Sequence, residues 1–229
     1  MTRHELLEKV TGSILEIRRN HTIRVAIDGV DCAGKTTFAD ELAGYMKERG
    51  VKVIRACIDG FHNPAKTRYS MGKDSGEGYY TKSFNHDAII NKLLKPLGPG
   101  GSRRCIKAVY DFRADKPIKP KSEKAGKNSV LLFDGVFLMR PELIGFWDYK
   151  IWLDINFDTV LKRAVKRDLY LLGSGDKVRE RFLKRYIPGQ KIYIEAVDPC
   201  STADIVIKNA NPEKPGILYR QQITYEEKK

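Results

Sequence analysis

The chain has 229 residues and a formal net charge of +13, which favours anionic partners such as nucleotides, phosphorylated metabolites or nucleic acid. Its length suits one domain with a well-buried core, so we expect a single domain spanning 1–229. No apolar run approaches the roughly 20 residues of a membrane span, and the N-terminal segment lacks the pattern of a secretory signal, so we expect no membrane partner.

Helical and extended patterns alternate along the chain. The apolar spacing predicts an N-terminal helix within 1–21, then a strand at 22–28, a helix at 38–50 and a second buried strand at 51–58. Later in the chain it predicts a helix over 87–94 that is stopped by Pro96, strands at 129–133, 150–155 and 204–208, and a helix over 158–172. This alternation predicts an α/β fold with a mostly parallel sheet and helices on both faces.

Three segments lack periodicity and are predicted to be irregular. The first is rich in Gly, Tyr and Ser, and we interpret 59–85 as a loop on the acceptor side of the site. The others, 97–101 and the basic 116–128, are predicted to be surface turns.

A phosphate-binding motif lies between the first strand and the following helix. The sequence GVDCAGKTT, Gly29 to Thr37, fits G-x-x-x-x-G-K-[ST] in the strand–helix context that this motif requires. It predicts a P-loop NTPase that binds ATP and Mg²⁺, with Lys35 reaching the β- and γ-phosphates, Thr36 on the metal and Thr37 at the α-phosphate. The predicted nucleotide-binding residues are Gly29, Val30, Asp31, Cys32, Ala33, Gly34, Lys35, Thr36 and Thr37.

The cysteines give no sign of a metal or disulfide framework. Cys32, Cys57, Cys105 and Cys200 are scattered, without the close pairs of a zinc site. We interpret Cys32 as a loop residue rather than a reactive thiol, and we expect a cytoplasmic location.

Two acids follow apolar strands. Asp134 ends SVLLFDG and is predicted to hold the metal together with Thr36, directly or through water. Asp59 follows the second strand in CIDGFHNP, at the sheet edge where ligands of open α/β folds bind, and we expect it to accept the proton of an acceptor hydroxyl. The alternative for each acid is a turn-forming role.

Several motifs together resemble the uridine kinase and phosphoribulokinase family, which includes pantothenate kinase. They are DGVDCAGKTTFADELA, DGFHNP, EGYYTKSFNHDA and YDF; in addition, RYIPGQKIYIEAVDPCSTADIVIKN resembles the C-terminal part of bacterial uridine kinase-like proteins. The resemblance covers most of the chain after Thr22. It implies that Asp59 is the catalytic base and that the protein forms dimers or tetramers. It also implies that the acceptor lies near His62, Tyr79, Tyr80 and Tyr110.

Three departures from the family pattern concern the phosphate site and the acceptor. Asp134 stands where uridine kinases commonly carry glutamate, and C-A-G-K-T replaces G-S-G-K-S, which leaves the phosphate chemistry intact. The segment 63–85 differs from the nucleoside-recognition sequence of uridine kinases. The resemblance therefore implies kinase chemistry without naming the acceptor.

An arginine-rich segment at 163–190 is predicted to form a helical lid that excludes water from the reaction. Glycines in LLGSGDK supply a hinge, and a guanidinium suits a phosphate because it binds two oxygens at once. Candidate closing residues are Arg163, Arg167, Arg179, Arg181 and Arg185. We expect Arg163 and Arg167 to contact the nucleotide, with Lys35, Asp59 and Arg167 catalytic; the alternative is a solvated helix face.

Two classes of function remain open from the sequence. The first is an ATP-dependent kinase acting on a small hydroxyl compound, such as the nucleoside uridine. The second is a nucleic-acid-associated NTPase or nucleotide-binding regulatory module, suggested by the net charge and the basic segment 103–127, although no nucleic-acid-binding motif accompanies it.

Overall fold

A computed structural model describes residues 1–219, apart from the side chains at positions 171, 172 and 219. The end of the predicted domain, 220–229, lies outside the described residues. Within 1–219, no helix is both long enough and apolar enough to cross a membrane.

Ten strands form one large sheet and two small ribbons. The strands are β1 Ile23–Gly29, β2 Val53–Cys57, β3 Arg104–Ile106, β4 Tyr110–Asp111, β5 Lys116–Pro117, β6 Ser122–Lys124, β7 Val130–Asp134, β8 Tyr149–Asp154, β9 Ile205–Lys208 and β10 Gly216–Tyr219. The large sheet has the order β10-β9-β8-β1-β7-β2, and only β10 runs antiparallel to its neighbour. Every residue of β7 is buried, as expected for a parallel strand covered on both faces.

Eleven α-helices, one 3₁₀ turn and two π-helical turns lie among these strands in the described chain. The α-helices are α1 Arg3–Leu15, α2 Lys35–Glu48, α3 Ala65–Arg68, α4 Gly76–Lys82, α5 His86–Ile89, α6 Lys95–Leu97, α7 Pro141–Ile144, α8 Phe157–Leu172, α9 Gly175–Arg181, α10 Ile187–Val197 and α11 Pro199–Thr202. A 3₁₀ turn spans Ile58–Phe61, and π-helical turns span Ile90–Leu94 and Phe182–Tyr186.

The predicted mostly parallel α/β sheet is confirmed, but several boundaries differ. The N-terminal helix ends at Leu15, not near position 20. The segment 59–85, predicted as a loop, contains α3 and α4. The segment 116–128, predicted as turns, contributes β5 and β6 to the two ribbons.

Pro96 and Pro188, which have no backbone N–H, each lie at the start of an α-helix that follows a π turn. Pro96 was predicted to stop a helix, yet the helical path continues to Leu97. Each proline follows a π turn, in which Lys95 donates to the Ile90 carbonyl and Ile187 to the Phe182 carbonyl. The wide turn lets a new α-helix begin, so each proline lies in a first turn, where its missing N–H breaks no hydrogen bond.

The register of the sheet brings the candidate site residues to one edge. Asp134, at the end of β7, pairs in register with Ile27 of β1 on one side and with Cys57 of β2 on the other. The P-loop follows β1 and Asp59 follows β2. The carboxyl ends of three adjacent parallel strands therefore meet, which is the position of ligand sites in open α/β sheets.

Candidate active site

The P-loop connects β1 to α2 through residues 30–34. Gly34 precedes α2 with φ +89°, a conformation that L side chains rarely adopt, and no side chain caps the helix. The first intrahelical hydrogen bond is that of Phe38 N–H to the Gly34 carbonyl. The amides of 34–37 therefore have no intrahelical acceptor, which leaves donors for an anion at the helix N-terminus.

Carbonyls on the P-loop accept hydrogen bonds from α8 and from the residue after β9. Arg163 on α8 donates to the Cys32 carbonyl at 3.0 Å and to the carbonyls of Asn209 and Ala210 at 2.9 and 3.0 Å. The buried side chain of Asn209, which follows β9, donates to the Ala33 carbonyl at 2.7 Å. These bonds fix the loop backbone, which includes Cys32 in the left-handed region at φ 60°.

The two residues predicted to hold the metal are in contact with each other. Thr36 Oγ1 donates to Asp134 Oδ2 at 2.6 Å, and Asp134 is 1% exposed. Arg55 on β2 donates to Asp134 Oδ1 at 3.0 Å and to Asp40 on α2 at 2.9 Å. Each oxygen of this buried carboxylate thus has a donor, which offsets the free energy of burying its charge.

The donor set fits Mg-ATP. Lys35 Nζ donates to the Val30 carbonyl at 2.8 Å, so the ammonium lies against the loop that would hold the phosphates. Within 1–219, no group of three His, Cys, Asp or Glu residues has a metal-binding arrangement. One hydroxyl and one carboxylate suit Mg²⁺ nonetheless, because this ion keeps waters and takes its other ligands from substrate phosphates.

Asp59 lies in the 3₁₀ turn that follows β2, and His62 comes directly after that turn. The 3₁₀ turn brings His62 Nδ1 within 3.0 Å of the Asp59 carbonyl and 3.9 Å of its Oδ1, and the His62 ring packs between Phe84 and Phe112 at centroid distances of 4.6 and 4.7 Å. The Asp59 side chain is 56% exposed and faces open space. Partial desolvation and, to a smaller extent, the negative charge of Asp31 raise the pKa of Asp59, while burial lowers the pKa of His62.

A third carboxylate, on Asp31, connects the P-loop to the helices around the acceptor side. Its Oδ2 accepts hydrogen bonds from the Tyr79 hydroxyl on α4 at 3.0 Å and from Gln190 Nε2 on α10 at 2.6 Å. Gln190 Oε1 also accepts from the Asp31 amide at 3.2 Å. The loop, α4 and α10 are therefore held together through one side chain.

Beneath the P-loop, Asp28 is fully buried and accepts several hydrogen bonds. Its carboxylate accepts from the Tyr193 hydroxyl on α10 and from the amides of Gly29, Leu138 and Met139. Burial raises the pKa of Asp28 to about 6, against the opposing effect of these hydrogen bonds. Asp28 thus joins the start of the P-loop to α10 and to the segment after β7.

One cavity of about 1040 Å³ contains both halves of the site. Lys35, Thr36, Asp134, Asp59 and His62 all line it, as do Asp31, Cys32, Gly34 and Thr37. Val30 and Ala33 are buried and contribute backbone only. Burial raises the pKa of the Cys32 thiol to about 11, which agrees with a loop role rather than a reactive one.

One of the three tyrosines expected at the acceptor lines the cavity. Tyr79 does so, whereas Tyr80 packs under Arg140 and against Phe137. Tyr110 donates its hydroxyl to Asp115, outside the cavity lining. That Tyr80 and Tyr110 contact the acceptor stays a prediction; Phe112 and Arg113 also line the cavity.

The arginines of 163–190 divide into separate groups. Arg163 is bound to backbone carbonyls and Arg167, whose side chain is 57% exposed, pairs with Asp168; both line the cavity. Arg181 and Arg185 donate instead to carbonyls of 68–75, the segment from the end of α3 to the residue before α4. Arg179 is exposed, outside the cavity lining.

Sequence reasoning missed residues that act across long distances in the chain. Arg55 lies in none of the quoted motifs. Asp28, Gln190 and Tyr193 lie in the motifs DGVDCAGKTTFADELA and RYIPGQKIYIEAVDPCSTADIVIKN, but these motifs indicated no role for them. Phe112 belongs to the YDF motif and Arg113 follows it directly, so that motif was the available signal for both.

Comparison with known proteins places the chain among kinases. Residues 24–214 match the model of the Phosphoribulokinase / Uridine kinase family. Uridine kinase of Clostridium novyi is 25% identical over 200 residues, which cover 85% of this chain and 91% of the relative. Uridine-cytidine kinase B of Dictyostelium discoideum is also 25% identical, over 65% of this chain and 59% of its own length.

Solved structures share the fold. A possible uridine kinase from Bacillus stearothermophilus matches with TM-score 0.71 and 22% identity, over 89% of this chain and 97% of that one. A putative fructose transport system kinase from Silicibacter matches with TM-score 0.71 and 23% identity, over 86% and 95%. D-glycerate 3-kinase from Cryptococcus neoformans matches with TM-score 0.63 and 11% identity, over 93% and 99%. These identities show a common architecture and leave the acceptor open.

Proposed function

Since this chain belongs to the phosphoribulokinase / uridine kinase family, we propose that it transfers the γ-phosphoryl group of ATP to a hydroxyl of a small metabolite, with a nucleoside such as uridine as the acceptor. The observation that carries the proposal is the shared cavity. The P-loop lysine, the Thr36–Asp134 pair and Asp59 all line it.

Each residue has a distinct role in the proposed reaction. Bound Mg-ATP supplies the phosphoryl group and a metal charge that neutralises phosphate oxygens. Thr36 and Asp134 hold the metal, and the amides of 34–37 together with Lys35 bind the phosphates. The acceptor oxygen bonds to the γ-phosphorus as the bond to ADP breaks, and its proton passes to Asp59. The raised pKa of Asp59 makes it a stronger base than an ordinary aspartate.

The segment 163–190 acts as the lid in this proposal. Gly173, in the left-handed conformation at φ 80°, ends α8 and gives a hinge before α9. Arg167 is the arginine that meets the phosphates on closure, because it lines the cavity and is half exposed. Arg181 on α9 and Arg185 in the π turn after it donate to backbone carbonyls of 68–75. In this proposal, α9 and the acceptor-side segment therefore move together.

An ADP-release assay with Mg-ATP and a panel of acceptors tests the proposal. The panel contains uridine, cytidine, D-fructose, D-glycerate, pantothenate, a pentose phosphate and a polynucleotide, and Lys35→Ala is the blank. Release that depends on one small hydroxyl compound and is absent in the blank supports the kinase. Stimulation by polynucleotide alone would contradict it and favour a nucleic-acid-associated NTPase, with 103–127 as the binding surface.

A further inference from the structure

One carboxylate oxygen of Asp31 accepts two hydrogen bonds, and the other accepts none from the described residues. Oδ2 accepts from both Tyr79 and Gln190, at 3.0 and 2.6 Å. Oδ1 accepts no hydrogen bond from the residues that the structure describes, although Asp31 lines the cavity. The two donors fix the carboxylate in place without using its full capacity as an acceptor.

The neighbours of Asp31 lie on the acceptor side of the cavity. Tyr79 comes from α4 and lines the same cavity as His62, with its ring against Phe137 and Tyr186. The charge of Asp31 raises the pKa of Asp59 and that of Tyr186, so all three groups are within electrostatic reach of one another. Asp31 and Asp59 therefore present two carboxylates to the same part of the cavity.

Two carboxylates constrain what can bind between them. A carboxylate oxygen is an acceptor only, so it recognises a hydroxyl hydrogen and repels a phosphate or carboxylate on the ligand. Several cations also line the cavity. Lys35 and Arg163 donate to P-loop carbonyls. Arg167, whose side chain is 57% exposed, is paired with Asp168. Arg113 is exposed and lies 5.8 Å from the Phe112 ring centroid. Pairing and solvation weaken the pull of these cations on an anionic acceptor.

We infer that Asp31 is a specificity-determining residue, whose Oδ1 accepts a hydrogen bond from a second hydroxyl of a neutral, polyhydroxylated acceptor and whose charge disfavours anionic acceptors. The inference rests on the proposed kinase function and narrows its substrate class. It assigns the transferred proton to Asp59 and the recognition of a hydroxyl that does not react to Asp31.

Calorimetric binding tests the inference independently of turnover. The probes are uridine, 2′-deoxyuridine, 3′-deoxyuridine, D-fructose and D-glycerate, titrated into wild type, Asp31→Ala and Tyr79→Phe. Wild type should bind uridine about tenfold to a hundredfold more tightly than one of the deoxy analogues, the range expected for a hydrogen bond to a charged group. Asp31→Ala should lose this preference, with an affinity for uridine close to that of the analogue.

Tyr79→Phe is the matched control. It removes one hydrogen bond to Oδ2 and keeps the carboxylate, so it should retain the preference for the hydroxyl. The affinity for ATP is measured in each variant as a check on the P-loop, and the comparison of uridine with its deoxy analogue within one variant isolates the contribution of the hydroxyl. Loss of ATP binding together with uridine binding would indicate a damaged P-loop and overturn the inference.

Three further results would overturn it: tighter binding of D-glycerate than of uridine or D-fructose, no binding of either neutral compound, or an undiminished preference for the hydroxyl in Asp31→Ala. Turnover measured in parallel separates this inference from the proposed function. A wild type that binds uridine with the expected pattern and never phosphorylates it contradicts the function alone; one that phosphorylates uridine without the pattern contradicts the inference alone.

Discussion

Thr36 and Asp134, 98 residues apart in the chain, meet in a hydrogen bond of 2.6 Å between Oγ1 and Oδ2. The bond exists because β7 lies beside β1 and ends level with the strand that feeds the P-loop. A hydroxyl and a carboxylate, both of them groups that suit Mg²⁺, are thereby brought to one point at the edge of the sheet.

Asp134→Asn should therefore weaken the metal site. We expect kcat to fall about a hundredfold or more, the usual scale for removing a group that stabilises transition-state charge, and the Mg²⁺ concentration for half-maximal activity to rise. The matched control is Asp40→Asn, which removes the other partner of Arg55 and has a side chain that is 65% exposed. A magnesium titration of both variants checks this, and equal Mg²⁺ requirements would rule out the role of Asp134.

The pH dependence of kcat should report Asp59. A base works when deprotonated, so activity is lost as the pH falls through its pKa; because the pKa of Asp59 is raised, this acid limb should lie at a higher pH than for an ordinary aspartate. Asp31→Asn removes a negative charge that contributes to the raised pKa of Asp59, so the acid limb of this variant's pH profile should move to lower pH. Asp168→Asn alters a cavity carboxylate paired with Arg167 and should leave the limb in place. An unmoved limb in Asp31→Asn would argue against Asp59 as the base.

Tyr193→Phe should lower the free energy of unfolding by about 1–3 kcal/mol, because buried Asp28 loses a hydrogen bond. The folded pKa of Asp28 is raised to about 6 from an ordinary 3.8, so its protonation stabilises the fold below about pH 4 and this contribution is lost as the pH rises through 6. The Tyr193 hydroxyl favours the charged form, so the loss should be larger at pH 8 than at pH 5.

Urea unfolding at the two pH values measures this difference. Tyr80→Phe is the control, since its hydroxyl has no recorded hydrogen bond in the described chain, and it should change stability by less than about 0.5 kcal/mol. A Tyr193→Phe variant as stable as this control at pH 8 would show that the buried hydrogen bond contributes nothing.

Arg163→Ala should raise the KM for ATP about tenfold, because the P-loop loses the donor that holds the Cys32 carbonyl. The effect is expected on nucleotide binding rather than on the acceptor, since Arg163 is bound to the loop backbone. Arg179→Ala, at an exposed position on α9, is the matched control and should behave like wild type. Steady-state kinetics with varied ATP compare the two, and an equal KM would contradict the clamp.

The sequence predicted the parts of the site that depend on short motifs. The P-loop is contiguous and its strand–helix context is local, so its position followed from nine residues. Asp134 ends an apolar strand and Asp59 follows one, and parallel strands bring their carboxyl ends to one edge, so the sequence predicted that the two acids lie at the same edge of the sheet. No side-chain geometry was needed for these predictions.

The parts that failed depend on distant contacts. Helix α4, in GEGYYTK, has two glycines and no apolar periodicity; it packs so closely on α10 that a Cβ at Gly76 would lie 2.6 Å from the Pro188 Cβ. Tyr80 and Tyr110 were assigned to the acceptor from motifs, which give neighbours in sequence but not the direction of a side chain, and their role there stays a prediction. Asp28 and Tyr193 are 165 residues apart, and only the folded chain joins them.

Phosphorus NMR of the products tests the central claim most directly. Wild type, incubated with Mg-ATP and the acceptor selected by the panel, should give ADP and a new phosphomonoester resonance in equal amounts. Asp59→Asn should give neither at a comparable rate while still binding ATP. Inorganic phosphate as the only product of wild type, or an undiminished phosphomonoester from Asp59→Asn, would contradict a kinase that uses Asp59 as its base.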